Sequence, residues 1–253
     1  MPPSDLPARR NSELLKKIKR KSGKINVGKA KAKIKQEPKP LTKEQIAQTV
    51  ARTDMPRLLL AIDATASREA CWSMAREITE AMFLAVPDEL SIGLCYHGGS
   101  QVRELTDFTT DKEKFLDKIR TVSCIAGVTR FNDILELACD ISRLKVIIYI
   151  GDCYEEQQTN AIPLAQHLAL KGIRTFIFHD TTEEDGYSLD AARSAFEAIA
   201  KAGKGAVFPF DCNSPEVVRS LLEAIAYYSA RGLKALKQLD TPAARKLLQA
   251  VNE

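Results

Sequence analysis

The stretch that decides the fold reads Leu58-Leu59-Leu60-Ala61-Ile62-Asp63-Ala64-Thr65-Ala66-Ser67. Five apolar residues run into an aspartate, and a hydroxyl side chain follows at every second position after it. An apolar run that is too short for a helix and rich in Leu and Ile is typical of a buried strand in a parallel sheet. The stretch therefore predicts a core strand that ends in a polar loop.

The loop after this strand allows two interpretations. Asp63, Thr65 and Ser67 offer carboxylate and hydroxyl oxygens, which Mg²⁺ prefers as ligands while waters complete its octahedron. Alternatively, the loop is an ordinary strand-to-helix turn in which Ser67 caps the next helix. The stretch alone does not separate a metal site from a turn, so the evidence has to come from the rest of the chain.

The composition is that of a globular protein, with 253 residues, 45% of them hydrophobic and 28% charged. No apolar run approaches the roughly 20 residues of a membrane span, and the N-terminus has no apolar signal-peptide core. We therefore expect a cytoplasmic protein. The six cysteines show no paired spacing, so we expect small core residues in a reducing compartment.

The charge is unevenly distributed along the chain. Residues 1–50 carry 14 Lys and Arg against 4 Asp and Glu, a net charge of +10, which leaves −6 for the remainder. Proline, many lysines and no aromatic residue predict a largely disordered tail in residues 1–50. Within it, residues 12–21 form a short amphipathic pattern, and the basic residues 9–43 can bind nucleic acid or an anionic surface non-specifically.

Apolar strands alternate with helical patterns beyond the tail. This order predicts an α/β fold, with a doubly wound, mostly parallel, Rossmann-like sheet of six strands flanked by helices. Gly98-Gly99 predicts one antiparallel edge hairpin, and Pro209 places the last strand at the other edge. We assign residues 55–232 to this domain and residues 233–253 to a C-terminal helical extension. The predicted strands are residues 58–63, 90–97, 102–108, 145–150, 173–178 and 206–210. The sequence also predicts a short helix over residues 42–50 and a helix over residues 68–86.

Two further polar residues join the first loop in this arrangement. Asp152 ends the apolar strand of residues 145–150, and Thr129 lies on a loop that leads into a helix predicted over residues 132–141. Ligands bind beyond the carboxyl ends of the strands in such sheets. If the first and fourth strands are neighbours, two carboxylates and three hydroxyls meet there. A cation then relieves the repulsion between the carboxylates.

These residues carry a family resemblance. Asp63-Ala64-Thr65-Ala66-Ser67 resembles the DxSxS motif of von Willebrand factor A domains. Thr129 and Asp152 are similar to the threonine and the aspartate of the family's second and third loops. Together these three pieces form the metal-ion-dependent adhesion site of that family. The resemblance covers residues 55–232, and its one departure is Thr65, where serine is usual; threonine keeps the hydroxyl.

The resemblance implies a binding module, of the type found in cytoplasmic bacterial members, and not an enzyme. It implies that Asp63, Thr65, Ser67, Thr129 and Asp152 hold Mg²⁺ or Mn²⁺, with the aspartates often acting through water. An acidic residue of a partner protein then fills the open metal position. Family members of this type often work beside AAA+ ATPases or in multiprotein assemblies. Partner-binding candidates at the rim are Arg130, Tyr154 and Glu155.

Two other classes of function are compatible with parts of the sequence. The first is a nucleic-acid-associated protein that uses the basic tail. The second is a Mg²⁺-dependent phosphohydrolase, whose motif needs an aspartate at position 65, where this chain has threonine. The sequence also contains neither GxxxxGK[ST] nor GxGxxG. His97, His179 and Asp180 lie at predicted strand ends, where structural roles are expected.

Overall fold

The computed structural model describes residues 54–85, 87–181, 186–211 and 214–252. The chain divides into residues 1–45 and residues 46–253, and every described residue belongs to the second unit. The predicted tail, its amphipathic segment 12–21 and a helix predicted over residues 42–50 lie outside the described residues. No helix in the described ranges is both long and apolar enough to cross a membrane.

A six-stranded sheet forms the centre of the domain. The strands are β1 (Arg57–Asp63), β2 (Ser91–Gly98), β3 (Gln101–Leu105), β4 (Leu144–Gly151), β5 (Arg174–Asp180) and β6 (Val207–Phe210). They lie in the order β3-β2-β1-β4-β5-β6. All neighbouring strands are parallel except β2 and β3, so the predicted α/β class and its antiparallel edge pair are confirmed. Pro209 lies on β6 at the other edge, as predicted.

Helices cover both faces of the sheet because the central strands are apolar on both sides. The helices are α1 (Trp72–Ala85), α2 (Lys112–Thr121), α3 (Phe131–Cys139), α4 (Gln158–Leu170), α5 (Gly186–Ala202), α6 (Pro215–Gln238) and α7 (Pro242–Asn252). Leu58, Leu60 and Ile62 pack into one core with α1, α2, α6 and α7. Leu59 and Ala61 pack into the other core with α3, α4 and α5.

The C-terminal region is built into the first of these cores. Gly232 kinks α6 with a φ of 77°, in the left-handed region that glycine adopts readily. Beyond the kink, Leu236 on α6 and Leu247 on α7 are fully buried. Residues 233–252 therefore pack against the sheet-flanking helices and contribute to the same hydrophobic core.

The segment after β1 differs from the predicted helix over residues 68–86. It begins as a 3₁₀-helix, Ala66–Cys71, and becomes α-helical only at Trp72. The interpretation of Ser67 as a helix cap is wrong, because Ser67 lies inside the 3₁₀ turn and the residue at its N-cap is Thr65. The Arg68 amide donates to the Thr65 carbonyl at 3.1 Å, which closes this tight turn and brings Thr65 and Ser67 together.

Candidate metal centre

The predicted site residues come from three loops at one edge of the sheet. β1 and β4 are parallel neighbours, with Ile62 opposite Ile150, so Asp63 and Asp152 emerge side by side. Thr129 comes from the loop that precedes α3. A cavity of about 320 Å³ lies between the loops. The cavity is lined by Thr65, Ala66, Ser67, Ala126, Gly127, Thr129, Asp152, Cys153, Glu155 and Leu189.

The first loop is organised by hydrogen bonds among its own residues. The Thr65 amide donates to Asp63 Oδ1 at 2.9 Å, which fixes the aspartate at the end of β1. The hydroxyls of Thr65 and Ser67 are 3.0 Å apart and share a hydrogen bond. Asp63 is fully buried, whereas Ser67 is exposed at the cavity. Thr65 is buried, yet both Thr65 and Ser67 line the cavity, whereas Asp63 lies behind them and does not line it.

Two carboxylate oxygens in the site lack a protein partner. Within the described residues, Asp63 Oδ2 and Asp152 Oδ1 are buried and accept no hydrogen bond. Burial, and next the charge of Asp152, raise the pKa of Asp63 to about 7. A buried acceptor without a hydrogen-bond donor lowers the stability of the fold. A cation between the two carboxylates would remove their repulsion and give both unpaired oxygens a partner.

The donor set fits a hard cation. The described ranges contain no group of three or more His, Cys, Asp and Glu side chains placed to hold a metal. A cation at this edge would therefore depend on the hydroxyls of Thr65, Ser67 and Thr129 together with the two aspartates. Oxygen donors of this kind suit Mg²⁺ or Mn²⁺ better than a thiolate-preferring metal.

A buried histidine lies beside Asp63, and the sequence did not reveal this placement. His97 lies opposite Asp63 in the β1–β2 register, with its Nδ1 atom 3.8 Å from Asp63 Oδ1. Its Nε2 atom forms a hydrogen bond with the Tyr149 hydroxyl at 3.0 Å. Burial lowers the pKa of His97 to about 4, so the ring is neutral at pH 7. Finding this pair from sequence required the strand register, which the sequence pattern does not give.

The end of β5 supports two of the loops at once. His179 Nε2 lies 3.1 Å from the Asp152 carbonyl, in hydrogen-bond contact. Asp180, the next residue, forms a buried ion pair with Arg68 of the first loop. The Arg68 guanidinium also lies over the Phe210 ring, 5.4 Å from its centroid. The sequence placed His179 and Asp180 at this edge, but gave no sign that Arg68 is buried.

Two glutamates join the second loop to the third. The Glu155 carboxylate accepts from the Thr129 amide at 3.1 Å, and the Glu155 amide donates to the Thr129 hydroxyl at 3.0 Å. The Glu156 carboxylate accepts from the amides of Phe131 and Asn132. Glu156 therefore caps α3 from another loop. α3 begins at Phe131, so Asn132 and Asp133 lie inside the helix and neither is its N-cap.

The three predicted rim residues are tied to neighbouring loops. The Tyr154 hydroxyl donates to Asn132 Oδ1 at 2.9 Å, and its ring meets Phe196 edge-on. Arg130 Nε donates to the Ser100 carbonyl at 2.8 Å. Glu155 lines the cavity while it holds Thr129. Their roles in binding a partner stay predictions.

Gly127→Ala is expected to weaken cation binding at least about tenfold by displacing the Thr129 loop. A Cβ atom on Gly127 would lie 2.7 Å from the Gly99 Cα, so backbone must shift. The affinity for Mn²⁺ is measured by calorimetric titration. Gly172→Ala is the matched control, because its φ of 78° also costs stability but it lies at the end of α4. Equal Mn²⁺ affinity in both variants would contradict the expectation.

Comparison with known proteins extends the description of the fold. No protein-family profile matches the sequence, and no curated protein sequence is significantly similar to it. The structure, however, superposes on the von Willebrand factor type A protein from Catenulispora acidiphila with a TM-score of 0.57. The fold is that of a von Willebrand factor A domain. The two chains are 15% identical over 69% of this chain and 43% of the other.

Two further solved structures superpose on this chain with a TM-score of 0.54. Proximal thread matrix protein 1 from the mussel byssus, with a zinc-occupied metal-ion-dependent adhesion site, is 14% identical over 68% of this chain and 46% of its own. The pilus adhesin SpaC from Lactobacillus rhamnosus GG is 10% identical over 70% of this chain and 30% of its own. This chain thus spans less than half of each of these structures. At such identities, the similarity establishes the von Willebrand factor A fold alone.

Proposed function

We propose that this von Willebrand factor A domain is a metal-dependent protein-interaction module. Asp63, Thr65, Ser67, Thr129 and Asp152 hold one divalent cation, Mg²⁺ or Mn²⁺, at the carboxyl edge of the sheet. A carboxylate from a partner protein completes the coordination. The observation that carries this proposal is the pair of buried, unpartnered carboxylate oxygens, Asp63 Oδ2 and Asp152 Oδ1, beside a cavity lined by three hydroxyl side chains.

The residues divide the task between charge and geometry. Asp63 and Asp152 supply the negative charge that draws a cation to the sheet edge. Mg²⁺ dehydrates reluctantly and keeps exchangeable waters, so one position stays open for an incoming carboxylate. The partner carboxylate therefore supplies a metal ligand that the domain itself lacks, and binding of the partner depends on the cation.

The local chemistry favours binding over catalysis. His97 is buried, neutral and hydrogen-bonded to Tyr149, and His179 is engaged with a backbone carbonyl. Neither histidine lines the cavity. We assign no catalytic role to this site. Membership of an ATPase-linked assembly, a cytoplasmic location and nucleic-acid binding through residues 9–43 stay predictions from the sequence.

Affinity purification of wild type and Asp63→Ala, each with and without EDTA, tests the proposal. We expect the wild type in Mg²⁺ to retain partners that are lost both in EDTA and in the variant. Asp117→Ala on α2 is the control, because it removes a carboxylate that is 76% exposed and lies on a different element. A set of partners that is unchanged by EDTA and by Asp63→Ala would refute the proposed function.

A further inference from the structure

Four consecutive apolar residues, Ile125-Ala126-Gly127-Val128, are exposed beside the candidate metal centre. Ile125 is 39% exposed and Val128 is 41% exposed. Runs of three or four exposed apolar residues are unfavourable in a soluble domain unless they have a function. Ala126 and Gly127 also line the cavity that contains Thr129 and Asp152, so this apolar loop is continuous with the site.

The apolar loop is held firmly although it has no helix or strand. The Ile125 amide donates to the Ala64 carbonyl at 2.9 Å, and the Ile125 carbonyl accepts from the Gly99 amide at 2.9 Å. The Val128 amide donates to the Ser100 hydroxyl at 3.1 Å. Because these bonds fix both ends of the loop, the exposed side chains are pre-organised. Such a surface gives up little entropy when it binds.

We propose that the apolar loop binds an apolar side chain that is adjacent to the partner's acidic residue. The recognised feature is then a carboxylate with an aliphatic or aromatic neighbour in a protein segment. This inference rests on the proposed function, because the carboxylate would already be placed at the cation. The assignment to a partner segment follows from the continuity of the loop with the cavity: Ala126 and Gly127 line the cavity, so the neighbours of a carboxylate bound there come within reach of the loop.

The charge around the loop agrees with this occupant. Arg130 is half-buried, and only its Nε atom is engaged, by the Ser100 carbonyl, among the described residues. Its two Nη groups thus leave positive charge near the loop for an acidic segment. Exposed aliphatic side chains and a guanidinium in neighbouring positions match a segment that mixes acidic and apolar residues.

Selection of a random heptapeptide phage library on the Mn²⁺-loaded protein, with elution by EDTA, tests the proposal. We expect the eluted peptides to contain an acidic residue with an apolar residue next to it. A peptide synthesised from this set should bind the Ile125→Ser/Val128→Ser variant about five- to thirtyfold more weakly than the wild type. Leu137→Ser on α3 is the control, because Leu137 is 41% exposed and does not line the cavity.

The outcomes separate this inference from the function on which it rests. Acidic peptides without an apolar neighbour, or with equal affinity for the variant, would overturn the inference and leave the proposed function standing. Failure to obtain any peptide that EDTA elutes would overturn both. Light scattering on the Mn²⁺-loaded wild type and variant adds one more outcome. A dimer that the variant abolishes would show that a second copy covers the loop, which also overturns the proposal.

Discussion

Asp180→Ala is expected to lower the free energy of unfolding by about 3–5 kcal/mol, the usual cost of leaving one charge of a buried ion pair alone. Arg68 is 1% exposed and pairs with Asp180, so the truncated variant keeps a buried guanidinium without its counter-ion. The stacking of Arg68 over Phe210 does not neutralise this charge. Urea-induced unfolding of the wild type and the variant measures the difference.

A surface ion pair provides the comparison for this loss. Asp240→Ala removes an exposed partner of Arg245 and should change the free energy of unfolding by less than about 1 kcal/mol. The double variant Arg68→Met/Asp180→Leu should regain much of the stability, because neither member of the buried ion pair is left without its partner. A loss of less than about 1 kcal/mol for Asp180→Ala would mean that the pair does not anchor the first loop to β5.

Asp63→Asn is expected to abolish cation binding and yet stabilise the cation-free protein at pH 8, by about 1–3 kcal/mol. The pKa of Asp63 is about 7 in the folded domain, against an ordinary value of 3.8, because of burial and the charge of Asp152. The folded state therefore binds more protons than the unfolded state between these values. The contribution of Asp63 to stability falls as the pH rises from about 4 to about 7.

The free energies of unfolding of the wild type and Asp63→Asn are measured in EDTA from pH 4 to pH 8. The difference between them gives the effect of Asp63 at each pH. The subtraction is needed because the lowered pKa of His97, about 4, acts in the opposite direction. Between pH 6.5 and pH 4, the His97 ring binds a proton more readily in the unfolded state than in the folded state. The contribution of His97 therefore lowers the free energy of unfolding as the pH falls. A wild type that is as stable as Asp63→Asn at pH 8 in EDTA would contradict the burial of an ionised Asp63.

The strand pattern was sufficient to predict the sheet. The apolar run before Asp63 and the run before Asp152 both become buried parallel strands, and they are neighbours as the site requires. Gly98-Gly99 and Pro209 correctly predicted the antiparallel pair and the opposite edge. These features depend on local composition and periodicity, which a single sequence displays directly.

The supporting contacts were not predictable in the same way. The contacts of His97 with Tyr149 and of Arg68 with Asp180 join residues that are 52 and 112 positions apart. Their partners are set by strand register and by the packing of the 3₁₀ turn, not by local pattern. The cap of α3 was not predictable for the same reason, since Glu156 lies 25 residues beyond Phe131, the first residue of the helix that it caps. An arginine directly after a polar loop also gives no sequence signal that it will be buried.

Calorimetric titration of Mn²⁺ into chelator-treated wild type and Thr129→Val tests the central claim most directly. Thr129 is buried and lines the cavity, and valine keeps the size of its side chain but removes the hydroxyl, which also accepts from the Glu155 amide. We expect the wild type to bind a single equivalent of Mn²⁺ and Thr129→Val to bind at least about tenfold more weakly. Absence of Mn²⁺ binding to the wild type, or equal affinity in Thr129→Val, would contradict a cation site built from these three loops.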